Sequence, residues 1–141
     1  MKSTAYSFKN VVSVIDGIAV TGFWEGDDAV QVAPAADVGT GLVGADGSSI
    51  FSQSTNRAAT ITIRLQHTSP AHRLLETRYQ RQMAGGLTGF PVSVMDTGSN
   101  EGGSTDQAFI QRRPNDQKGV NASMREWVLW SGFWTPELPT A

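Results

Sequence analysis

Hydrophobic and polar residues alternate strictly in one stretch of the chain, residues 60–66. The apolar positions of this stretch are Ile61, Ile63 and Leu65. The polar positions are Thr60, Thr62, Arg64 and Gln66. Because successive side chains of a strand point to opposite faces, this period of two predicts a strand with one core face and one polar face. The pattern raises the question of what the polar face meets.

The apolar period changes to about 3.6 residues after Ser69-Pro70, which predicts one amphipathic helix over residues 69–84. Ser69 is a suitable N-cap, and Pro70 fits the first helical position, where its missing N–H costs nothing. Gly85-Gly86 is expected to end the helix. The predicted apolar stripe consists of Leu75, Tyr79 and Met83, with Ala71 and Leu74 beside it.

The other periodic segments predict short strands joined by tight turns. Asp16-Gly17 lies between two β-branched runs and favours a hairpin with a type I′ turn. The predicted strands cover 10–15, 18–24, 29–34, 60–66, 90–96, 107–112 and 123–134, with a polar, Gly-rich tip over 97–106. About seven strands and one helix indicate a mainly β fold, an antiparallel sandwich or barrel. At 141 residues, we expect one domain spanning 1–141.

Residues 38–54 are too long and too rich in Gly and Ser for an ordinary connection. They form either a long projecting hairpin or a mobile loop. Large apolar residues flank the Asp46-Gly47 turn on both sides: Leu42, Val43, Ile50 and Phe51. Because these side chains would be wasted on a solvated loop, we favour a projection that buries them against a neighbouring molecule.

Composition excludes several classes of function. The net charge is -2 and no cluster of Lys and Arg is present, so electrostatically driven DNA binding is not expected. The absence of cysteine excludes disulfides and thiolate metal sites. No apolar run approaches the roughly 20 residues that span a bilayer, so no membrane association is expected, and the N-terminus lacks the apolar region of a secretion signal. Charged residues make up only 17%, which favours subunits that pack against one another.

Candidate chemical sites are few. His67 and His72 lie on either side of the helix start and do not share a helical face. We therefore interpret them as surface residues and not as a pair of metal ligands. The acidic turn Glu25, Asp27 and Asp28 lacks the graded ligand spacing of a calcium loop. No serine occupies a nucleophile elbow, and no glycine pair completes a phosphate-binding loop. We therefore predict no enzyme activity, no metal and no cofactor.

Aromatic residues cluster near two predicted strands and leave two interpretations open. The group consists of Phe23, Trp24, Trp127, Trp130, Phe133 and Trp134. Exposed tryptophans could serve as platforms for a carbohydrate, whereas buried ones would fill the core and a subunit contact. Both faces of the last strand are apolar, so it is expected to be covered on both sides.

Taken in order, these segments resemble the tail tube proteins of contractile-tailed bacteriophages, and more widely the tubes of type VI secretion and other contractile injection systems. The segments that carry the resemblance are "SVIDGIAVTGFWEGDDAVQV", "VGADG", "TNRAATITIRLQHTSPAHRLLE", "GFPVSVMD" and "REWVLWSG". They cover nearly the whole chain, and the second and third are the most specific.

The resemblance implies a structural virion protein of the tail, assembled in the host cytoplasm. Its subunits would form hexameric rings that stack into a tube for genomic DNA, with strands of all six lining the channel. Residues 38–54 would be the hairpin that reaches the next ring, with Leu42, Val43, Asp46, Gly47, Ile50 and Phe51 as its contact residues. Its partners would be further copies of itself, the sheath, baseplate and terminator proteins, and the tape measure protein and DNA inside the channel.

This interpretation supplies a role for the polar face of residues 60–66. Thr60, Thr62, Arg64 and Gln66 would line a water-filled channel in which DNA slides without adhering. Two alternatives remain: a tube initiator or terminator of the same fold, or a carbohydrate-binding β-sandwich that uses the tryptophans. A small β-barrel hydrolase is disfavoured because no catalytic triad is evident.

Overall fold

A computed structural model describes residues 3–140 as a strongly β-rich fold with one α-helix. The strands are β1 (Val11–Ile15), β2 (Ile18–Ala19), β3 (Val30–Pro34), β4 (Gly39–Val43), β5 (Ser49–Gln53), β6 (Ala59–Leu65), β7 (Phe90–Asp96), β8 (Glu101–Arg112), β9 (Arg125–Ser131) and β10 (Thr135–Glu137). The helix α1 covers Ala71–Met83, and a short 3₁₀ turn covers Phe8–Asn10. The predicted fold class, a mainly antiparallel β subunit with one helix and a long projecting hairpin, is confirmed.

Eight strands form one antiparallel sheet in the order β2-β1-β7-β8-β9-β6-β3, with β10 paired to the N-terminal half of β8. The remaining two strands, β4 and β5, form a separate two-stranded sheet. β6 lies next to last in the large sheet, between β9 and the edge strand β3. Its alternation is as predicted: Ile61, Ile63 and Leu65 are fully buried, whereas Thr60, Thr62 and Arg64 are half-exposed on the opposite face.

The inner face of the large sheet and one side of α1 enclose the core. Its buried side chains include Ile15, Leu75, Phe90, Trp127 and Leu129. Leu75 of α1 is completely buried, as the predicted stripe requires, but Met83, the last residue of the helix, is exposed.

Polar contacts hold both ends of α1. The Ser69 hydroxyl accepts the backbone N–H of Ala71 at 3.3 Å and donates to the Thr21 carbonyl at 2.5 Å. The assigned helix begins at Ala71, and Pro70 already has helical dihedral angles. Near the C-terminus the Gln82 amide pairs with both backbone groups of Ile110, at 3.0 Å each, in the manner of a neighbouring strand.

The first turn is the predicted one, since Asp16 and Gly17 both have positive φ (52° and 81°), as a type I′ hairpin requires. The strand predicted to follow it over 18–24 is wrong beyond Ala19. Gly22 has a φ of 76° and packs so closely on Ser69 that a Cβ would lie 2.8 Å from the Ser69 Cβ. Only Phe23 returns to the sheet, as a single bridge to Leu65.

The polar tip predicted over 97–106 is also mostly wrong, because β8 already begins at Glu101. Glycine makes the pairing of this polar segment possible. Gly102 lies against the backbone of Val94, and Gly103 lies against the indole of Trp134, so that neither position has room for a Cβ. The predicted last strand over 123–134 is divided in two, since Ser131 ends β9 and Thr135 begins β10. Residues 3–140 therefore contain ten strands, in place of the seven that were expected.

Candidate assembly surfaces

The β4–β5 hairpin projects from the sheet with its large apolar side chains uncovered. Leu42 pairs directly with Ile50, and each is 64% exposed. Val43 and Phe51 lie on the opposite face of the hairpin and are equally accessible. A two-stranded hairpin by itself is marginally stable in water, so apolar side chains on both faces indicate a surface that another molecule covers.

Backbone and side-chain contacts shape both ends of this hairpin. At its root the Ser54 N–H donates to the Val38 carbonyl at 2.7 Å, which holds the two arms together. At its tip Gly47 has a φ of 88°, and the Asp46 carboxylate accepts the Ser48 hydroxyl at 2.6 Å and its backbone N–H at 3.1 Å. These hydrogen bonds, the hydroxyl first, lower the pKa of Asp46 below its ordinary value. The tip is therefore a formed turn and not an open loop.

The polar residues of the stretch 60–66 lie on the outer face of the sheet, where the one positive charge, on Arg64, is paired with two carboxylates. Arg64 forms ion pairs with Asp28 at 3.4 Å and with Glu126 at 3.3 Å. The Gln66 amide donates to the Phe23 carbonyl at 3.0 Å. Thr60 and Thr62 lie beside them, half-exposed. This part of the face offers hydroxyl groups and a neutralised guanidinium, not a free positive charge.

The same outer face becomes aromatic towards β8. Trp130 pairs with Thr60 on one side and with Phe109 on the other, and it is 39% exposed. Phe133 is also exposed, and together with Phe109 and Trp130 it lines a shallow depression on the surface. The isolated subunit therefore does not meet the expectation that the last strand is covered on both faces: Trp127 is buried on the inner face, but Trp130 on the outer face is partly exposed.

A groove opens at one end of the core, with a volume of about 1140 Å³. It is lined along the length of β3, by Val30, Val32 and Pro34, and by residues at one end of other strands, among them Val11 of β1 and Val94 of β7. The other ends of β1, β6 and β7 place Ile15, Leu65 and Phe90 in the core together with Leu75 of α1. The helix thus closes one end of the sandwich, and the opposite end is open and apolar.

The rim of this groove is acidic, and the hairpin begins beside it. The charged lining residues are Asp27, Arg57, Asp96, Glu101 and Glu137. Val38, just before β4, also lines the groove, so the hairpin leaves the molecule from the groove wall.

Both histidines have structural contacts, which corrects the surface positions predicted for them. His72 is half-buried, with Nδ1 accepting the Trp127 indole N–H at 3.0 Å and Nε2–H donating to the Gln66 carbonyl at 2.7 Å. Burial lowers the pKa of His72, and the nearby Arg125 and His67 act in the same direction. His67 lies 3.3 Å from the Arg125 guanidinium.

Within residues 3–140 no group of three or more His, Cys, Asp or Glu side chains is arranged to hold a metal ion. Over the same residues, no helix is long and apolar enough to cross a membrane.

Two structures of contractile injection systems are among the solved structures that share this fold. The tube-terminating cap of the anti-feeding prophage superposes with a TM-score of 0.66 at 9% identity, covering 97% of this chain and 93% of that chain. The sheath/tube terminator of an extracellular contractile injection system, PVC, in its extended state superposes with a TM-score of 0.68 at 10% identity, covering 96% and 99%. Among curated proteins, none matches this sequence.

The sequence itself matches the family described as bacteriophage PhiTE tail tube protein over residues 3–134, nearly its whole length. The resemblance seen in the sequence is thereby confirmed, and the family is that of a structural component and not of an enzyme. The chain belongs to the bacteriophage PhiTE tail tube protein family, as a component of a virus tail.

Proposed function

We propose that the protein forms the inner tube of a contractile phage tail, as hexameric rings that stack and leave a channel for genomic DNA. The observation that carries the proposal is the β4–β5 hairpin, whose large apolar side chains are exposed on both faces. A subunit with such a projection is complete only when it contacts other copies.

Ring closure would use the free edges of the large sheet. β3 pairs with β6 on one side only, and the register leaves the backbone N–H and C=O groups of Val30 and Val32 facing outward. The other edge consists of the two-residue strand β2 and the uncovered start of β1. Exposed edges pair readily with further strands, and a repeated rotation closes such contacts into a ring.

The polar part of the outer face would line the channel. DNA carries dense negative charge, and each unpaired Lys or Arg that meets it adds salt-dependent attraction. Thr60 and Thr62 carry no charge, and Arg64 is held between two carboxylates. A channel lined in this way lets a polyanion move without adhering.

Substitution on this face tests the channel assignment. The variant Thr62→Lys keeps the strand alternation and adds one positive charge per subunit. We expect intact tails that eject DNA more slowly, with the difference shrinking at high salt, whereas Thr62→Ser ejects normally. Ejection at the normal rate from Thr62→Lys tails, at low and high salt alike, would mean that another face lines the channel.

We infer the remaining partners from the position of the protein in a virion tail that is assembled in the host cytoplasm. A sheath would surround the tube, a baseplate and a terminator would contact its two ends, and a tape measure protein would occupy the channel before DNA.

A second function has a specific observation in its favour, because the two structures described above, which share the fold, are a tube-terminating cap and a sheath/tube terminator. A terminator or initiator of this family would be present as one ring in each particle. Quantitative mass spectrometry of purified particles, with the sheath protein as reference, measures the copy number and distinguishes the two functions. We expect copy numbers of the same order as the sheath protein, and a single ring per particle would establish the second function instead.

A further inference from the structure

The mouth of the groove and the C-terminal end of α1 lie at opposite ends of the subunit. β7 begins at Phe90, three residues after Leu87, and ends at Asp96, and its seven residues span roughly 20 Å. β8 runs back from Glu101 to the segment that α1 contacts through Gln82. The groove mouth contains Asp96 and Glu101, whereas Leu87 follows the end of α1.

The groove mouth carries three carboxylates that form no ion pair within residues 3–140. Asp96 and Glu101 lie directly opposite each other in the β7–β8 pair, an arrangement of like charges that destabilises a sheet. Glu137 lies beside them on β10, opposite Gly102. Arg57 also lines the groove, but it donates its hydrogen bonds to backbone carbonyl groups. The subunit alone does not neutralise this mouth, which therefore favours a cationic partner.

The C-terminal end of α1 has the complementary character. Met83 and Leu87 are 66% and 72% exposed, so two large apolar side chains meet water there. Arg81 lies beside them, and Arg73 is about two turns earlier on the exposed side of the helix. Neither arginine forms an ion pair within the described residues. Exposed apolar side chains flanked by free positive charge match an apolar groove with an acidic mouth.

We propose that the groove mouth of one copy receives the C-terminal end of α1 from a copy in the adjacent ring. Met83 and Leu87 would enter the groove, and Arg73 and Arg81 would face the three carboxylates. This rests on the proposed function, which supplies the stacking, and adds a contact made by the body of the subunit and not by the hairpin. Because the hairpin starts beside the groove, both contacts reach the same neighbouring ring.

A second copy fits the groove better than a nucleic acid does. The carboxylates at the mouth would repel a polyanion. The groove and the end of α1 are different surfaces at opposite ends of one chain, so their contact repeats head-to-tail and gives an open stack. One end of the tube then presents empty grooves, and the other presents uncovered helix ends.

Substitution of Leu87 tests the apolar part of the contact. The variant is Leu87→Ser, and Val120→Ser is the matched control, because Val120 is fully exposed in the loop before β9 and belongs to neither surface. We expect both variants to melt like the parent protein. The concentration needed for tubes should rise roughly tenfold for Leu87→Ser and remain unchanged for Val120→Ser. An unchanged concentration for Leu87→Ser would overturn the proposal.

Reversal of charge tests the polar part and shows whether the contact joins two copies. One double variant carries Arg73→Glu with Arg81→Glu, and the other carries Glu101→Arg with Glu137→Arg. Each alone places like charges at every joint, so we expect single rings or subunits. In an equal mixture, an alternating stack brings opposite charges together at every joint. We therefore expect tubes that contain both variants, measured by sedimentation and negative-stain microscopy.

The remaining outcomes separate this inference from the proposed function. Normal tubes from either double variant alone, or no tubes from a mixture in which both variants melt like the parent protein, would overturn the proposed contact. Neither result affects the tube itself, provided that the parent protein forms tubes under the same conditions. Absence of tubes from the parent protein would instead contradict the proposed function.

Discussion

Leu42 and Ile50 lie directly opposite each other in the β4–β5 hairpin, and each remains 64% exposed. Val43 and Phe51 lie on the other face and are exposed to a similar extent. The hairpin is thus apolar on both sides, which suits a segment enclosed between molecules and not one laid on a single surface.

Removing either apolar pair from the hairpin should abolish tubes and leave the subunit folded. The double variants are Leu42→Ser with Ile50→Ser, and Val43→Ser with Phe51→Ser. Because these side chains make no core contact, the free energy of unfolding should change by less than about 0.5 kcal/mol. Pelleting and negative-stain microscopy report assembly, and thermal melting reports folding.

The matched control for these variants is Thr40→Ala with Ser52→Ala, a directly opposed pair in the same two strands. It should assemble normally. Normal tubes from either apolar double variant would show that its face of the hairpin is not needed for contact.

A charge at Ile63 should prevent folding, because this side chain is completely buried in the hydrophobic core. An unpaired carboxylate there costs several kcal/mol or more. The adjacent Thr62→Asp variant places the same charge on the half-exposed face and should fold. Circular dichroism and chemical denaturation compare the two, and a cooperatively melting Ile63→Asp protein would show that the strand faces are reversed.

Gln82 should contribute more to stability than its position near the end of α1 suggests. Its amide makes two hydrogen bonds to the Ile110 backbone, and Gln82→Ala leaves both partners unsatisfied. We expect a loss of about 1–3 kcal/mol in urea unfolding. Gln80→Ala, an exposed position whose side chain reaches only Glu76, should cost much less. Equal effects would mean that the amide clamp does not stabilise the helix.

The contact between His72 and Trp127 should make the subunit less stable in mild acid. Burial lowers the folded-state pKa of His72 below its ordinary value of 6.5, so the unfolded chain binds the proton more readily. The stability from this group is complete above pH 6.5 and is lost as the pH falls through the folded-state pKa. Protonation also removes the Nδ1 lone pair that accepts the Trp127 indole N–H.

Melting temperatures measured from pH 8 to pH 5 check this dependence. His72→Gln should melt with a flatter pH profile than the parent protein, whereas His67→Gln should keep most of the slope. Identical profiles for the parent and His72→Gln would assign the acid sensitivity to other groups.

Local patterns were sufficient to predict the strand β6, the Asp16-Gly17 turn and the core of α1. In each case the determining signal lies within a few residues: strict alternation, a turn dipeptide, or an apolar stripe between capping residues. The projection of residues 38–54 was also predictable, because its apolar side chains had no local partner.

Tertiary contacts determine the structural features that the sequence patterns did not predict. Residues 101–106 are polar and Gly-rich, yet they form a strand because Gly102 and Gly103 fit tightly against Val94 and Trp134. The groove was not predictable, since Val11, Val32 and Val94 are far apart in the chain and meet only through the sheet order. The exposure of Trp130 likewise depends on which elements cover β9.

Cryo-electron microscopy of the purified protein at high concentration tests the central claim, assembly through surfaces that one subunit leaves open. The account predicts hollow rods of stacked six-fold rings, with each hairpin in density continuous with the adjacent ring. Monomers alone at high concentration, with neither rings nor rods, would contradict it.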